Sequence, residues 1–290
     1  MEVSGWDAAA VCAKAVTYAA TLGACGAVFF LIYCRGLLQA SQRKRIQRLI
    51  AILIATAAAA GIVRILLLTG SMSGNFAGMF DRDFAAMILK AGEGTASGVR
   101  FAGLALTLFA LSSNPRSRVP AVAGAIIAAT SFVWVGHIHG LAANTLPCLL
   151  LCLHLLCAAF WLGALAPLLM VARDRSESQI AAVASRFGKL ALGVVAALLA
   201  MGASLLWILI ASAAEFWSSQ YGRMIMIKLL AVACLLAIAA VNKLYLTPRL
   251  LIRNSRAVAL FRRSVQAEIF FGALILLTTA AFTTIVGPPK

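Results

Sequence analysis

All three histidines of the 290-residue chain fall within residues 130–168, TSFVWVGHIHGLAANTLPCLLLCLHLLCAAFWLGALAPL. They are His137, His139 and His154. The rest of the stretch is almost wholly apolar, and imidazole is costly to keep in hydrocarbon, so a histidine there is a candidate for a site. Imidazole ligates divalent transition ions, whereas thiolate and thioether sulfur suit softer, reduced ones. On a helix, Cys157 and Trp161 share the His154 face at i+3 and i+7, while Cys152 points away. Trp134 shares the face of His137 at i−3. His139 can reach the same site only where the helix has already opened. The pattern therefore puts His137 and His154 first as metal ligands, Cys157 as a soft neighbour and His139 last. The plain alternative for each is a histidine bonded to backbone or interfacial water.

The elements that must position these side chains are membrane helices. The chain is 63% hydrophobic and 12% charged, with a mean hydropathy of +0.98. A soluble domain of this size could not hide so much apolar surface, while a bundle of spanning helices has no need to. Eight windows are long and apolar enough to span, near 9–34, 47–69, 95–113, 119–139, 146–171, 189–213, 224–246 and 265–286. The predicted class is all-α, a polytopic bundle of eight transmembrane helices forming a single domain over 1–290. Residues 70–94 read as a loop plus a short amphipathic helix at the interface. The histidines then lie on a hairpin: the fourth helix ends at His137 and His139, and the fifth returns through His154. Thr145 and Pro147 suit a helix start. His154 is two turns further in, on the order of 12 Å below the rim at 1.5 Å per residue.

Charge sets the orientation. Most of the 25 basic residues lie in the loops after the first, third, fifth and seventh helices, among them Arg43, Lys44, Arg45, Arg116, Arg173, Arg249 and Arg262. By the positive-inside rule these loops are cytoplasmic and both termini periplasmic. The net charge of +16 is thus a topology signal and not a nucleic-acid footprint. The N-terminus has no basic leader region and its first apolar segment reads as a retained helix. Seven cysteines, mostly inside apolar runs, show no CxxC spacing and no disulfide framework. No Walker or phosphorylation motif is visible, so any ion movement draws on a gradient or a partner.

Ionisable residues remain in or beside the apolar windows. Arg64, Arg100 and Lys228 are expected to snorkel to headgroups, and Glu268 to pair with Arg262, Arg263 or Lys243 of its own hairpin. Trp6, Trp134 and Trp217 fit an aromatic belt. Met72, Met79, Met87, Met224 and Met226 gather on the outer side, where thioethers could pass a reduced ion, although ordinary packing is the favoured reading. The same holds for the pair Cys148 and Cys152.

Three stretches together resemble the CopD/PcoD family of copper resistance proteins: TSFVWVGH (130–137), LHLLCAAFWLGALAPL (153–168), and the segments IKLLAVACLLAIAAVNKLYLTPRL (227–250) and RRSVQAEIFFGALIL (262–276) near the C-terminal end. The likeness covers about 130–286; the first three helices match only in number and length. It implies an inner-membrane protein that takes copper ion, Cu(I) or Cu(II), from the periplasm and delivers it inward, beside a periplasmic copper-binding protein of the CopC kind. By motif position His137 and His154 carry over as copper ligands, and Trp161 and Gly163 as structural members, the glycine allowing close helix packing. Lys228, Asn242, Pro248 and Glu268 match motif positions without an evident role. Leu151 and Ala164 depart from the family pattern, which has an acidic residue and a second glycine there. The missing carboxylate removes a hard ligand or a supporting partner.

The leading expectation is therefore copper transport through a His-lined site between the fourth and fifth helices, by a protein that is not an enzyme. Two other readings remain: haem b held between His137 and His154, or a membrane scaffold or regulator with structural histidines.

Overall fold

The computed structural model describes residues 5–135, 145–174, 177–209, 220–252 and 255–285. Among them eight helices are long and apolar enough to cross a membrane, and no strand occurs. In chain order the helices are α1 (Gly5–Tyr33), α2 (Ala40–Ser73), the short α3 (Arg82–Lys90), α4 (Gly92–Thr107), α5 (Arg118–Thr130) and α6 (Thr145–Ala172). Next come α7 (Glu177–Leu209), α8 (Gln220–Val241), α9 (Thr247–Leu251) and α10 (Ser255–Ile285). A π turn, Asn242–Leu246, joins α8 and α9 into one span. Short 3-10 turns lengthen α4 to Leu111 and α5 to Trp134.

Helix is dictated by the solvent, because a chain crossing hydrocarbon must satisfy every backbone polar group within itself. Local signals then place the ends. α2 stops at Gly74, whose φ of 74° is a left-handed position that glycine takes without a Cβ penalty. The Asp81 carboxylate caps α3, accepting from the N–H groups of Asp83 at 2.9 Å and Phe84 at 3.1 Å. The loop and short helix expected at 70–94 are thus present.

α1 lies at the centre and packs against α2, α5, α6 and α10. Its Ala24, Cys25, Ala27 and Val28 are fully buried. It meets α6 almost backbone to backbone: a Cβ added at Gly163 would lie 2.6 Å from Gly26 Cα, and one at Gly26 would lie 1.9 Å from the Ala159 carbonyl oxygen. Gly103 of α4 and Gly124 of α5 make a second such crossing. Small residues at crossings let helices gain dispersion contact where lipid supplies no hydrophobic drive. Ile52, Trp207, Leu230 and Phe270 face outward, as expected of a lipid-contacting surface.

Three expectations about ionisable residues need correction. Arg64 and Arg100 do not snorkel; both are buried between helices. Arg64 forms a two-bonded ion pair with Glu93, Nε to Oε1 at 2.8 Å and Nη2 to Oε2 at 2.9 Å. Arg100 donates from Nε to Ser131 Oγ at 3.2 Å and lies over the Phe132 ring. A guanidinium with partners inside the bundle has no reason to stretch outward. Glu268 pairs not with a basic residue of its hairpin but with Asn242, whose Nδ2 donates to Oε1. Arg262 is engaged elsewhere, donating to the Ala172 carbonyl. Lys228 lies over the Phe282 ring of α10, 5.4 Å from its centroid.

Candidate functional site

α6 starts at Thr145 and runs unbroken through Pro147, His154, Cys157, Trp161 and Gly163. His154 is half-buried on this helix and turns toward α7. A Cβ added at Gly202 of α7 would lie 3.2 Å from His154 Cε1 and 3.6 Å from Nδ1. The glycine leaves the room that the imidazole fills. The imidazole lies against the Leu198 backbone of α7, but its buried Nδ1 makes no hydrogen bond of ordinary geometry. An unmatched buried nitrogen forfeits its solvation, so it marks a position where something else is to be bound or where stability is given up.

Cys157, one turn further along the same face, is a half-buried free thiol. Trp161 is buried in the core, and Gly163 is the α6 side of the α1 crossing. Cys148 and Cys152 are half-buried free thiols nearer the start of α6. His137 and His139 lie outside the described residues, so the structure speaks to one side of the expected pair. Among the described residues no group of three or more His, Cys, Asp and Glu side chains converges to hold a metal ion. Among the described residues His154 stands as a single borderline donor, outside any complete ligand shell. Met72, Met87 and Met226 are exposed.

Comparison with known protein families matches residues 5–143 to the copper resistance protein D-like N-terminal domain. Residues 181–282 match copper resistance protein D. The chain belongs to the copper resistance protein D family. No curated protein matches the chain. The family matches take in α1, α2 and α4, where sequence reading found only a matching number and length of helices, and leave out residues 144–180 with the 153–168 stretch. Membership in this family, with eight apolar helices, makes the chain a multi-pass membrane protein tied to copper resistance.

Two polar clusters were missed as clusters by sequence reading. One joins Lys14 of α1, Arg64 of α2, Glu93 and Arg100 of α4, and Ser131 after α5 around a small cavity. Arg64, Glu93 and Arg100 stood out singly as charges near apolar windows, and Lys14 carried the same signal inside the first window. The other is Glu268 with Asn242, two motif positions that the π turn brings within bonding reach. Pro248 accounts for that turn. It has no N–H to give the carbonyl four residues back and its ring crowds that carbonyl, so the helix widens just before it.

Proposed function

We propose that this chain carries copper ions across the bacterial inner membrane, from the periplasmic toward the cytoplasmic side, with His154 as a ligand on the route. The observation that supports the reading is the buried Nδ1 of His154, which makes no hydrogen bond of ordinary geometry, in a copper resistance family member. One imidazole with a thiol a turn away holds an ion weakly. Weak binding suits passage, since a carried ion must leave as readily as it enters. His137 would receive the ion at the periplasmic end, with His139 the lesser ligand and Cys157 a soft relay. Inward direction follows from the resemblance to the CopD/PcoD family, while the basic loops orient only the chain, with both termini to the periplasm. A CopC-like periplasmic protein would be the donor. The domain is proposed to act as one unit over 1–290.

The test is copper accumulation in cells expressing His154→Ala, with the amount of protein in the membrane measured in parallel. Accumulation is expected to fall to the level of cells lacking the protein, with membrane abundance unchanged. Unaltered accumulation would reject the role. Within the same assay His137→Ala is expected to cost more than His139→Ala; equal losses would mean that both rings reach the ion.

A further inference from the structure

We infer that Glu268 and Asn242 form a proton-binding site, in which the Glu268 carboxyl carries one exchangeable proton at neutral pH and donates it to Asn242 Oδ1. Glu268 stands close to the middle of α10, inside a helix long and apolar enough to span the membrane. It is 4% exposed, and Asn242 8%. A carboxylate in such a place needs an opposite charge, and without one it takes up a proton instead. The elements packed against α10 are α1, α6, α8, α9 and the π turn. Their cations are occupied elsewhere. Lys14 of α1 donates from Nζ to the Thr283 carbonyl at 3.1 Å, and Lys228 of α8 lies over the Phe282 ring. Lys243 of the π turn has its Nζ 3.5 Å from the Cβ position of Gly188 on α7, and Arg249 of α9 lies over the Tyr245 ring. α6 has no Lys or Arg, and its His154 turns toward α7. Arg223 is exposed near the start of α8; on α10 itself Arg262 donates to the Ala172 carbonyl and Arg263 is exposed. Cys25 and Tyr33 of α1, Cys157 of α6 and Cys234 of α8 carry no positive charge in any state. Among the described residues no charged side chain acts on Glu268, and its polar partner is the neutral Asn242 amide.

The hydrogen bonds call for the same proton. Asn242 Nδ2 donates to Glu268 Oε1, and Asn242 Oδ1 is buried without a partner. An amide oxygen only accepts, so it needs a donor. Thr247 cannot supply one, because its single hydroxyl proton goes to the Asn242 backbone carbonyl at 2.8 Å. A carboxylate has no donor either, whereas a protonated carboxyl has one and still accepts through its other oxygen. Protonated Glu268 is thus complementary to the amide it already touches. Turning the amide over exchanges the two bonds and leaves the same need for one proton. A water beside Oδ1 would satisfy the amide but leave the carboxylate without a counter-charge. One proton answers both needs, and it requires no cavity. The π turn that begins at Asn242 holds the pair in place. This assignment does not depend on the copper reading.

Infrared difference spectroscopy of the full-length, detergent-solubilised protein at neutral pH tests it, with the Glu268→Gln spectrum subtracted from that of the wild type. The wild type should show the carbonyl stretch of a protonated carboxyl, shifted to lower frequency in deuterium oxide, and the variant should lack it. Glutamine matches the protonated carboxyl in shape and bonding, so the variant stays folded and the comparison is direct. Raising the pH should remove the band reversibly, with release of one proton per chain. Absence of the band from the wild type at neutral pH, or its persistence in Glu268→Gln, would overturn the proposal. Asn242→Leu takes away both amide bonds and should move the band to higher frequency. An unmoved band in that variant would mean that the proton is not shared with the amide and would sink the pairing. Loss of the wild-type band when sodium replaces choline at constant pH would reassign the site to a metal cation and overturn the proton assignment.

Discussion

Asn242 gives Glu268 one hydrogen bond through Nδ2 and keeps its own Oδ1 buried and unpaired. Glu268 itself is 4% exposed. An ionised carboxylate has no proton to offer that oxygen, whereas a glutamine has two. Glu268→Gln should therefore keep the existing bond, supply the missing one, and leave the thermal midpoint in detergent unchanged or higher. Glu268→Leu strands both ends of the Asn242 amide and should cost about 1–3 kcal/mol. Equal destabilisation by the two substitutions would show that charge, not amide pairing, holds the contact. The sequence marked both residues but not their partnership, because they stand 26 positions apart and meet only where α8 and α10 cross. His154 was legible by type alone: an imidazole in hydrocarbon stands out in any reading. Its neighbour Gly202 did not stand out, since a helical glycine shows its use only when the opposing side chain is in place.

Helices were the most legible feature, and their ends the least. α7 begins at Glu177 and α10 at Ser255, well before the apolar windows at 189 and 265. The reason is physical: hydropathy reports the part of a helix that lies in hydrocarbon, while the amphipathic turns before it stay helical in the interface. The crossing of α1 and α6 is an element-scale claim of a different kind. Gly163 was expected to allow close packing, and its Cβ position is indeed occupied, with the Leu22 carbonyl oxygen 2.5 Å away. Backbone cannot yield as a flexible side chain can. Gly163→Val should force the two helices apart and destabilise the bundle by at least the 1–3 kcal/mol typical of overpacking. Gly193→Ala is the control, because nothing lies within 4 Å of its Cβ position, and it should be neutral. A thermal midpoint unchanged in Gly163→Val would mean that the crossing is looser than drawn.

At the scale of the whole molecule, the end of the bundle away from the termini is tied together around one carboxylate. Asp174, just after α6, accepts from Arg45 Nη2 at 2.8 Å and from Gln42 Nε2 at 2.5 Å, both on α2. Gln179 of α7 joins through Gln42, and Arg262 of α10 reaches the Asp174 carbonyl. The basic loops were read from sequence as an orientation signal, yet one acidic residue among them turns part of that charge into a clasp between four helices. Partial burial pushes the Asp174 carboxyl up, but the bonds from Arg45 and Gln42 outweigh it and hold the group below its ordinary value. A carboxyl depressed in the folded state stabilises above its unfolded pKa of about 3.9, and that stability drains away as pH falls through the lower folded value. The clasp should therefore be intact at neutral pH and fail only in strong acid. Asp174→Asn should cost about 0.5–1 kcal/mol at pH 7, the discounted worth of a partly exposed pair, and should flatten the loss of stability as pH falls below about 4. Thermal midpoints of both proteins across that range measure the difference. Parallel curves for the two would place the acid sensitivity in another group and leave the four-helix clasp without an energetic role.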